Sequence, residues 1–383
     1  MKPVYLDNAA TTKIDDRVLE AMLPYLKNEY GNASSVHKLG RAAKVMLEES
    51  REVIAEFIGA SPSEIYFTSG GTEANNFALK GIAFNNLGKK NHIVSTKIEH
   101  SAVLDTLDYL NQKFGFEITY VPVNKYGEVN LDFLNDAVSN KTFLICIMHS
   151  NNELGIINEL EEISETANQR GIHLHTDSVQ SIGKTDFNVK KIGCSTATLS
   201  AHKIYGPKGI GASYIKKGTE VDKFIHGGQQ EREKRGGTEN IPAVAGFKKA
   251  TELLNENMDS DIAAYKNLKS KLILELKKIF KDKIIINSLE NKNSLNNIVN
   301  ISFDLKKVKL DPDTLLIKLD LKGIAVSSGS ACTSGSIQPS HVLKAIGYDD
   351  TTAKSSLRIS FGRYNTEKDV DYLAGTLKEI IEA

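Results

Sequence analysis

The 383-residue sequence predicts an α/β protein, with a large domain built on a mostly parallel, doubly wound sheet and a smaller α+β domain. Three features carry this. From Glu64 to Lys203 short β-like runs alternate with helical stretches, the order expected when strands lie parallel and helices cross over between them. Thr142–Met148 is a continuous apolar run, as in strands covered on both faces. Beyond Ile284 the strands shorten and that alternation stops.

In chain order, a short N-terminal strand precedes a helix over Ala42–Ile58. Met46, Val53 and Phe57, with Leu47, Ile54 and Ile58, recur there at helical spacing, and Gly59 stops the helix. Glu64–Thr68 reads as a strand, and Ser69-Gly70-Gly71-Thr72-Glu73-Ala74-Asn75-Asn76 as a Gly-rich turn opening a helix. Such a turn exposes backbone N–H groups at the positive end of the helix dipole, a cradle for phosphate. It lacks the Gly-Lys-Ser/Thr of a P-loop and the Gly-x-Gly-x-x-Gly of a dinucleotide fold, which disfavours mononucleotides and NAD. His92–Thr96 is the next strand, and Glu99-His100-Ser101 leads into a helix over Ala102–Phe114. After Thr142–Met148 come the polar His149-Ser150-Asn151-Asn152, a helix over Glu159–Arg170 and a strand ending at Asp177. In an open parallel sheet such polar strand ends share one edge, where ligands bind. A long helical stretch from Ile241-Pro242 to about Phe280 has a polar interruption at Asn255–Asp261, which marks a domain boundary. The expected division is residues 16–258 against residues 1–15 with 259–383, the second unit containing helices over Pro312–Leu321 and Glu367–Ile381.

Composition narrows the function. Lys plus Arg and Asp plus Glu both number 48, so no net field draws in nucleic acid or an anionic membrane. No apolar run approaches the roughly 20 residues needed to cross a bilayer, and Met1–Asp7 has no leader pattern. The expectation is a soluble, cytoplasmic protein. Three scattered cysteines, Cys146, Cys194 and Cys332, make neither a disulfide framework nor a metal site.

Two stretches carry chemistry. In Thr198-Leu199-Ser200-Ala201-His202-Lys203-Ile204-Tyr205-Gly206, a lysine follows a short apolar strand among small residues that leave room for a ligand. A confined lysine loses its proton readily and becomes a nucleophile towards aldehydes, giving a Schiff base. One strand earlier, Asp177 ends a β-like run. That pair suits pyridoxal 5'-phosphate (PLP): Lys203 takes the aldehyde carbon, and Asp177 keeps the pyridine nitrogen protonated so that the ring acts as an electron sink. Further on, Ser327-Ser328-Gly329-Ser330-Ala331-Cys332-Thr333-Ser334-Gly335-Ser336 sets a cysteine among small residues with nothing apolar to bury it, which predicts an exposed, mobile thiol. Arg358, inside the strand pattern Leu357–Phe361, needs an anion, either a structural carboxylate or a substrate's.

From Tyr5-Leu6-Asp7-Asn8-Ala9-Ala10-Thr11-Thr12 to Arg358-Ile359-Ser360 the sequence resembles the PLP-dependent cysteine desulfurases of the class V aminotransferase group, NifS- and IscS-like. The resemblance implies PLP-dependent transferase fold type I. It implies that Lys203 bonds PLP, that Asp177 faces the pyridinium nitrogen, and that His100 stacks on the ring and handles protons. Gly71, Thr72, Ser200 and His202 would hold the phosphate, and Gln180 the phenolic oxygen side of the ring. Asn151, also beside the cofactor, would orient the substrate carboxylate together with Arg358. Cys332 would accept sulfur from L-cysteine as a persulfide, releasing L-alanine. Thr238, in the Gly-rich stretch Gly227–Asn240, would reach the phosphate in a neighbouring subunit, making a homodimer. The implied acceptor is an iron–sulfur scaffold or a tRNA- or cofactor-thiolating enzyme. Ala383 follows the last helix without the longer tail that IscS-like members use to dock a scaffold. The competing readings are a selenocysteine lyase or another class V enzyme, which would not need Cys332, and a sulfur-relay platform, which would leave Lys203 and Asp177 idle.

Overall fold

The computed structural model describes residues 3–328 and 338–382, so Cys332 lies outside the described residues. Strand β1 (Val4–Tyr5) is followed by helices α1 (Asp16–Lys27) and α2 (Lys38–Ile58). Asp15 caps α1 by accepting the Arg17 N–H, and Gly59 ends α2 at φ 74°, a left-handed conformation that only glycine adopts at little cost. Helix α1 is missing from the sequence reading. Pro24 sits inside it and obscures the helical spacing of Val18, Met22 and Tyr25, which pack on the core.

The central sheet follows in chain order: β2 (Ile65–Thr68), α3 (Gly71–Asn85), β3 (His92–Thr96), α4 (Ser101–Phe114), β4 (Glu117–Val121), α5 (Leu131–Ala137) and β5 (Thr142–Cys146). It continues with α6 (Leu160–Gln169), β6 (His173–Asp177), α7 (Val189–Ile192), β7 (Thr196–Ser200) and β8 (Gly211–Ile215). The strands lie in the order β2-β8-β7-β6-β5-β3-β4. Those from β4 to β7 are parallel, and β8 runs antiparallel between β7 and β2. The sheet is buried on both faces: Ile93, Leu144 and Cys146 enter one apolar cluster, while Val94 and Ile145, the alternating residues, enter the other. Because β2 runs with β7, the ends at Thr68, Thr96, Cys146, Asp177 and Ser200 share one edge.

Helix α8 (Ile241–Phe280) links this sheet to a second core. Asn255–Asp261 does not break it. Val244, Phe247 and Leu254 of its first half bury against the first core, and Tyr265, Leu272 and Leu276 of its second half bury in another cluster. That cluster is built on β9 (Ile284–Ile286), β10 (Ile298–Phe303), α9 (Pro312–Leu321) and β11 (Ile324–Ala325). After these come α10 (His341–Ala345), α11 (Asp350–Lys354), β12 (Ser356–Ser360) and α12 (Glu367–Glu382). Strand β12 pairs antiparallel with β10, and β1 pairs parallel with β11, so the N-terminus belongs to this second sheet region.

Arg363, just after β12, pins the parts together. Its guanidinium meets Asp261 of α8 at 2.8 Å and the α1 cap Asp15 at 3.3 Å, and lies 4.5 Å from the centre of the Tyr205 ring. Arg363→Ala leaves the buried Asp261 carboxylate without its cation, while Asp15 keeps Arg17 at 2.8 Å, and we expect a stability loss of roughly 1–3 kcal/mol. Urea unfolding would register it as a lower midpoint at unchanged slope.

Candidate active site

The sheet edge collects most of the residues picked out in the sequence, Thr238 and Cys332 excepted. Lys203 lies in a single 3-10 turn, Ala201–Lys203, directly after β7. Its Nζ donates to the carbonyl oxygens of Ala9 and Ala10 at 2.5 and 2.7 Å. Those carbonyls belong to a turn after β1 that is tied down on every side. Ala9 N–H donates to Ser360 Oγ at 2.8 Å, and Asn8 Nδ2 to the Ser360 carbonyl at 3.0 Å. Thr12 bonds the His202 carbonyl through both its N–H (2.9 Å) and its hydroxyl (2.8 Å). Gln180 Nε2 donates to the same Ala9 oxygen at 2.8 Å, while its Oε1 is buried with no partner among the described residues. Burial lowers the Lys203 pKa to about 8; nearby Arg358 pushes it further down, and Asp177 and Asp7 oppose the shift. Beneath it Lys184 donates to the Lys203 carbonyl at 3.2 Å, and burial brings that amine down to about 7.

Asp177 closes β6 facing this amine. Its Oδ2 accepts from Asn75 Nδ2 at 2.7 Å and its Oδ1 from the Val179 N–H at 3.0 Å. Asn75 is fixed in turn, its Oδ1 accepting from Thr198 Oγ1 at 2.7 Å and standing 3.0 Å from His175 Nε2. Burial drops the His175 pKa to about 4, which leaves that ring neutral. At the start of α3 the backbone comes close to β7: a Cβ on Gly71 would stand 3.1 Å from Val179 Cγ2 and 3.8 Å from Ser200 Cβ. Ser200 Oγ is buried beside it without a partner among the described residues. His202 places Nδ1 3.1 Å from Thr11 Oγ1, and burial takes its pKa to about 4.

His100 caps α4, its Nδ1 accepting the Ala102 N–H at 3.1 Å. With that lone pair engaged, the neutral ring carries its proton on Nε2. Desolvation by the surrounding walls lowers its pKa, with Lys203 and His341 adding to the effect, although the residue keeps a solvent-accessible face. The preceding Glu99 is fully buried, and burial raises its carboxyl to about 8. Its Oε1 accepts from Thr96 Oγ1 at 2.8 Å and from the Met148 N–H at 3.1 Å, and its carbonyl faces His341 Nε2 at 2.9 Å.

Arg358 donates from Nη2 to Asp7 Oδ1 at 2.9 Å and from Nη1 to the Asn152 carbonyl at 3.0 Å, leaving its buried Nε unpaired among the described residues. Asn151 is fully buried. Its Nδ2 donates to the Ile98 carbonyl, and its Oδ1 accepts from the Glu153 and Leu154 N–H groups, each at 2.8 Å. Thr238 is exposed on the loop before α8. Ser327 exchanges backbone hydrogen bonds with Arg358 at 2.7 and 3.3 Å, and Ser340 Oγ donates to Glu153 Oε2 at 2.5 Å. Both flanks of residues 329–337 therefore return to this edge. Cys146 and Cys194 are buried, with thiol pKa values raised by burial, the second to about 12. Among the described residues no His, Cys, Asp and Glu cluster could hold a metal ion.

The model of the aminotransferase class-V family matches residues 4–373. A protein named cysteine desulfurase IscS from Dictyoglomus turgidum is 46% identical over 381 residues, covering 100% of this chain and 95% of that one. One of the same name from Methanosarcina thermophila is 45% identical, covering 100% and 92%. A solved structure titled NifS-like protein superposes with a TM-score of 0.91 at 40% identity, over 99% of both chains. The chain belongs to the aminotransferase class-V family.

For this class V member, sequence reasoning assigns no role to Asp7, Asn75, Glu99 or Lys184. Asn75 leaves a trace, a polar residue one helical turn after Gly71 and so on the same inward face. Asp7 meets Arg358 across 351 residues, and no local pattern marks such a contact. The capping bond of His100 has a measurable consequence. In ¹⁵N NMR, His100 should show the Nε2–H tautomer and protonate below the usual histidine value of about 6.5. A Nδ1–H signal or an ordinary midpoint would refute that arrangement.

Proposed function

We propose that this protein is a PLP-dependent cysteine desulfurase that converts L-cysteine to L-alanine and leaves the sulfur on Cys332 as a persulfide. The observation that carries the reading is a depressed-pKa amine, Lys203, and a braced carboxylate, Asp177, at one sheet edge with unpaired buried acceptors beside them. The names of the relatives agree with it. The residues fit the cofactor. Ser200 Oγ lacks a partner next to the N-terminus of α3, where Gly71 and Thr72 offer backbone N–H groups to a phosphate. His202 completes that cradle, and Gln180 Oε1 is an open polar atom for the phenolic side of the ring.

When bound, PLP joins the substrate amine and stabilises negative charge at its α-carbon. Asp177, oriented by amide and N–H donors, would face the ring nitrogen and hold it protonated. His100 would lie against the ring, and with its proton on Nε2 it would donate a hydrogen bond rather than act as the base. The α-proton is therefore assigned to Lys203 Nζ, whose lowered pKa suits proton transfer near neutrality. Arg358 takes the substrate carboxylate with its remaining donors, and Asn151 braces the rim. The Cys332 thiolate attacks the substrate sulfur, the C–S pair moves to carbon and is protonated, and the products are alanine and a cysteine persulfide. Thr238 serves the site of a second copy in a homodimer. The persulfide then passes to a sulfur-acceptor protein, for iron–sulfur assembly or for thiolation.

Cys332→Ser tests the proposal. It leaves the Lys203 edge untouched, so the cofactor's absorbance and its shift on adding cysteine should persist while persulfide and alanine disappear. Alanine and sulfide at the parent rate would favour a lyase that needs no thiol. A second test concerns Lys203 in the cofactor-free protein. Only the neutral amine attacks an aldehyde, and the folded pKa is about 8, so PLP capture should accelerate as pH rises through about 8 and level off above it. A rise continuing to the ordinary lysine value of about 10.4 would refute the assigned shift.

A further inference from the structure

The loop before α8 is held in a shape its own backbone disfavours. Glu231, Arg232 and Glu233 have φ values of 43°, 53° and 65°, three successive side-chain-bearing residues in the left-handed region. Two ion pairs fix it there. The first is buried: Arg51 grips the Glu231 carboxylate with both Nη atoms at 2.8 and 3.1 Å, and the Phe67 N–H adds a third bond at 2.8 Å. The second joins Arg235 to Glu73, Nε to Oε1 at 2.8 Å and Nη2 to Oε2 at 3.3 Å. Between them the loop closes on itself. Gly236 donates its N–H to the Ile225 carbonyl at 2.8 Å and packs so tightly that a Cβ on it would lie 2.9 Å from the Gly227 backbone. What this fastening presents is Gly237 and Thr238, both exposed. Strain maintained by surrounding structure is a mark of pre-organisation, and this loop is pre-organised to face outward.

Glu73 is placed to do two things. It stands in the first turn of α3, directly after Gly71 and Thr72, and it also accepts the Ser69 N–H at 2.8 Å. The same carboxylate holds Arg235, three residues before Thr238. We propose that Glu73 is a positioning residue that couples the two cofactor sites of the dimer: it links the phosphate-binding turn of one subunit to the loop that completes the phosphate site of the other. This rests on the homodimer reading given above. Phosphate bound at Gly71 and Thr72 steadies the first turn of α3, which steadies Arg235, which sets Thr238 for the second copy. By linkage the effect is reciprocal, so the two sites fill cooperatively.

The test is titration of the full-length cofactor-free protein with PLP, followed by absorbance, with sedimentation run in parallel. Glu73→Gln separates coupling from simple electrostatics because the two predict opposite signs. Removing a negative charge beside a phosphate would by itself tighten binding. Loss of the strut should instead weaken PLP binding about fivefold or more and flatten a cooperative curve to single-site shape, with the dimer intact. Arg235→Gln, which removes the other half of the same ion pair, should do the same, and the double variant should be no worse than either single one. A parent protein that binds PLP as a monomer removes the homodimer reading and this inference with it. A dimeric parent that binds without cooperativity, or a dimeric Glu73→Gln variant of unchanged or tighter affinity, overturns the coupling alone.

Discussion

The structure turns on two backbone carbonyls. Ala9 and Ala10 receive the Lys203 amine, and Ala9 also receives Gln180, so a turn from one end of the chain closes a site made at the edge of the central sheet. Within itself that turn has two backbone bonds, Ala10 N–H and Thr11 N–H to the Asp7 carbonyl at 3.0 and 3.4 Å. It is held by Ser360 and by the Arg358 ion pair to Asp7 on one side and by the His202 carbonyl on the other. Because β1 pairs with β11, the turn cannot sit over Lys203 unless the second sheet region is folded. Assembly of the site therefore draws on both regions.

The interior around Asp177 is polar without being ionic. Asn75, Thr198 and His175 form a hydrogen-bonded set beneath the carboxylate, and burial keeps His175 uncharged. Glu99, fully buried without a cation, is likewise pushed towards its neutral form. A carboxylate braced by neutral donors keeps its charge for whatever faces it, whereas one paired with arginine would not. In the proposed reading this is what directs Asp177 at a cationic ring nitrogen. Desolvation in the same surroundings lowers the pKa of Lys203.

Much of this was legible in the sequence, for definite reasons. Lys203, Asp177, His100 and Gly71 each stand at or just beyond the end of a β-like run, and parallel strands bring such ends together. Covered strands such as Thr142–Cys146 announce themselves by continuous apolar character. Helix α1 was hidden by Pro24, and the antiparallel direction of β8 has no signature in a five-residue buried strand. The polar stretch Asn255–Asp261 changes which cluster α8 packs against but leaves the helix whole, since Asn255, Asp259 and Ser260 are exposed and the buried Asp261 is paired with Arg363. Asp7 and Glu73 were missed because their partners, Arg358 and Arg235, lie 351 and 162 residues away, and chain spacing encodes nothing of such pairs.

Three interior arginines show how donors separate structure from function. Arg51 is fully engaged, by Glu231 through both Nη atoms, by the Ile65 carbonyl and by Glu48 at Nε. Arg363 meets two carboxylates and a tyrosine ring. Both are complete, and a complete buried arginine is a fastening. Arg358 is buried too, yet it has one carboxylate, one carbonyl and an Nε without a partner among the described residues. A buried guanidinium donor left open is costly unless something arrives to fill it. Asp7 holds the fork in place from one side while its other donors stay open, so the group is oriented without being saturated. The sequence reading assigns a substrate carboxylate to Arg358, and of these three arginines it is the one with a buried donor left without a partner among the described residues.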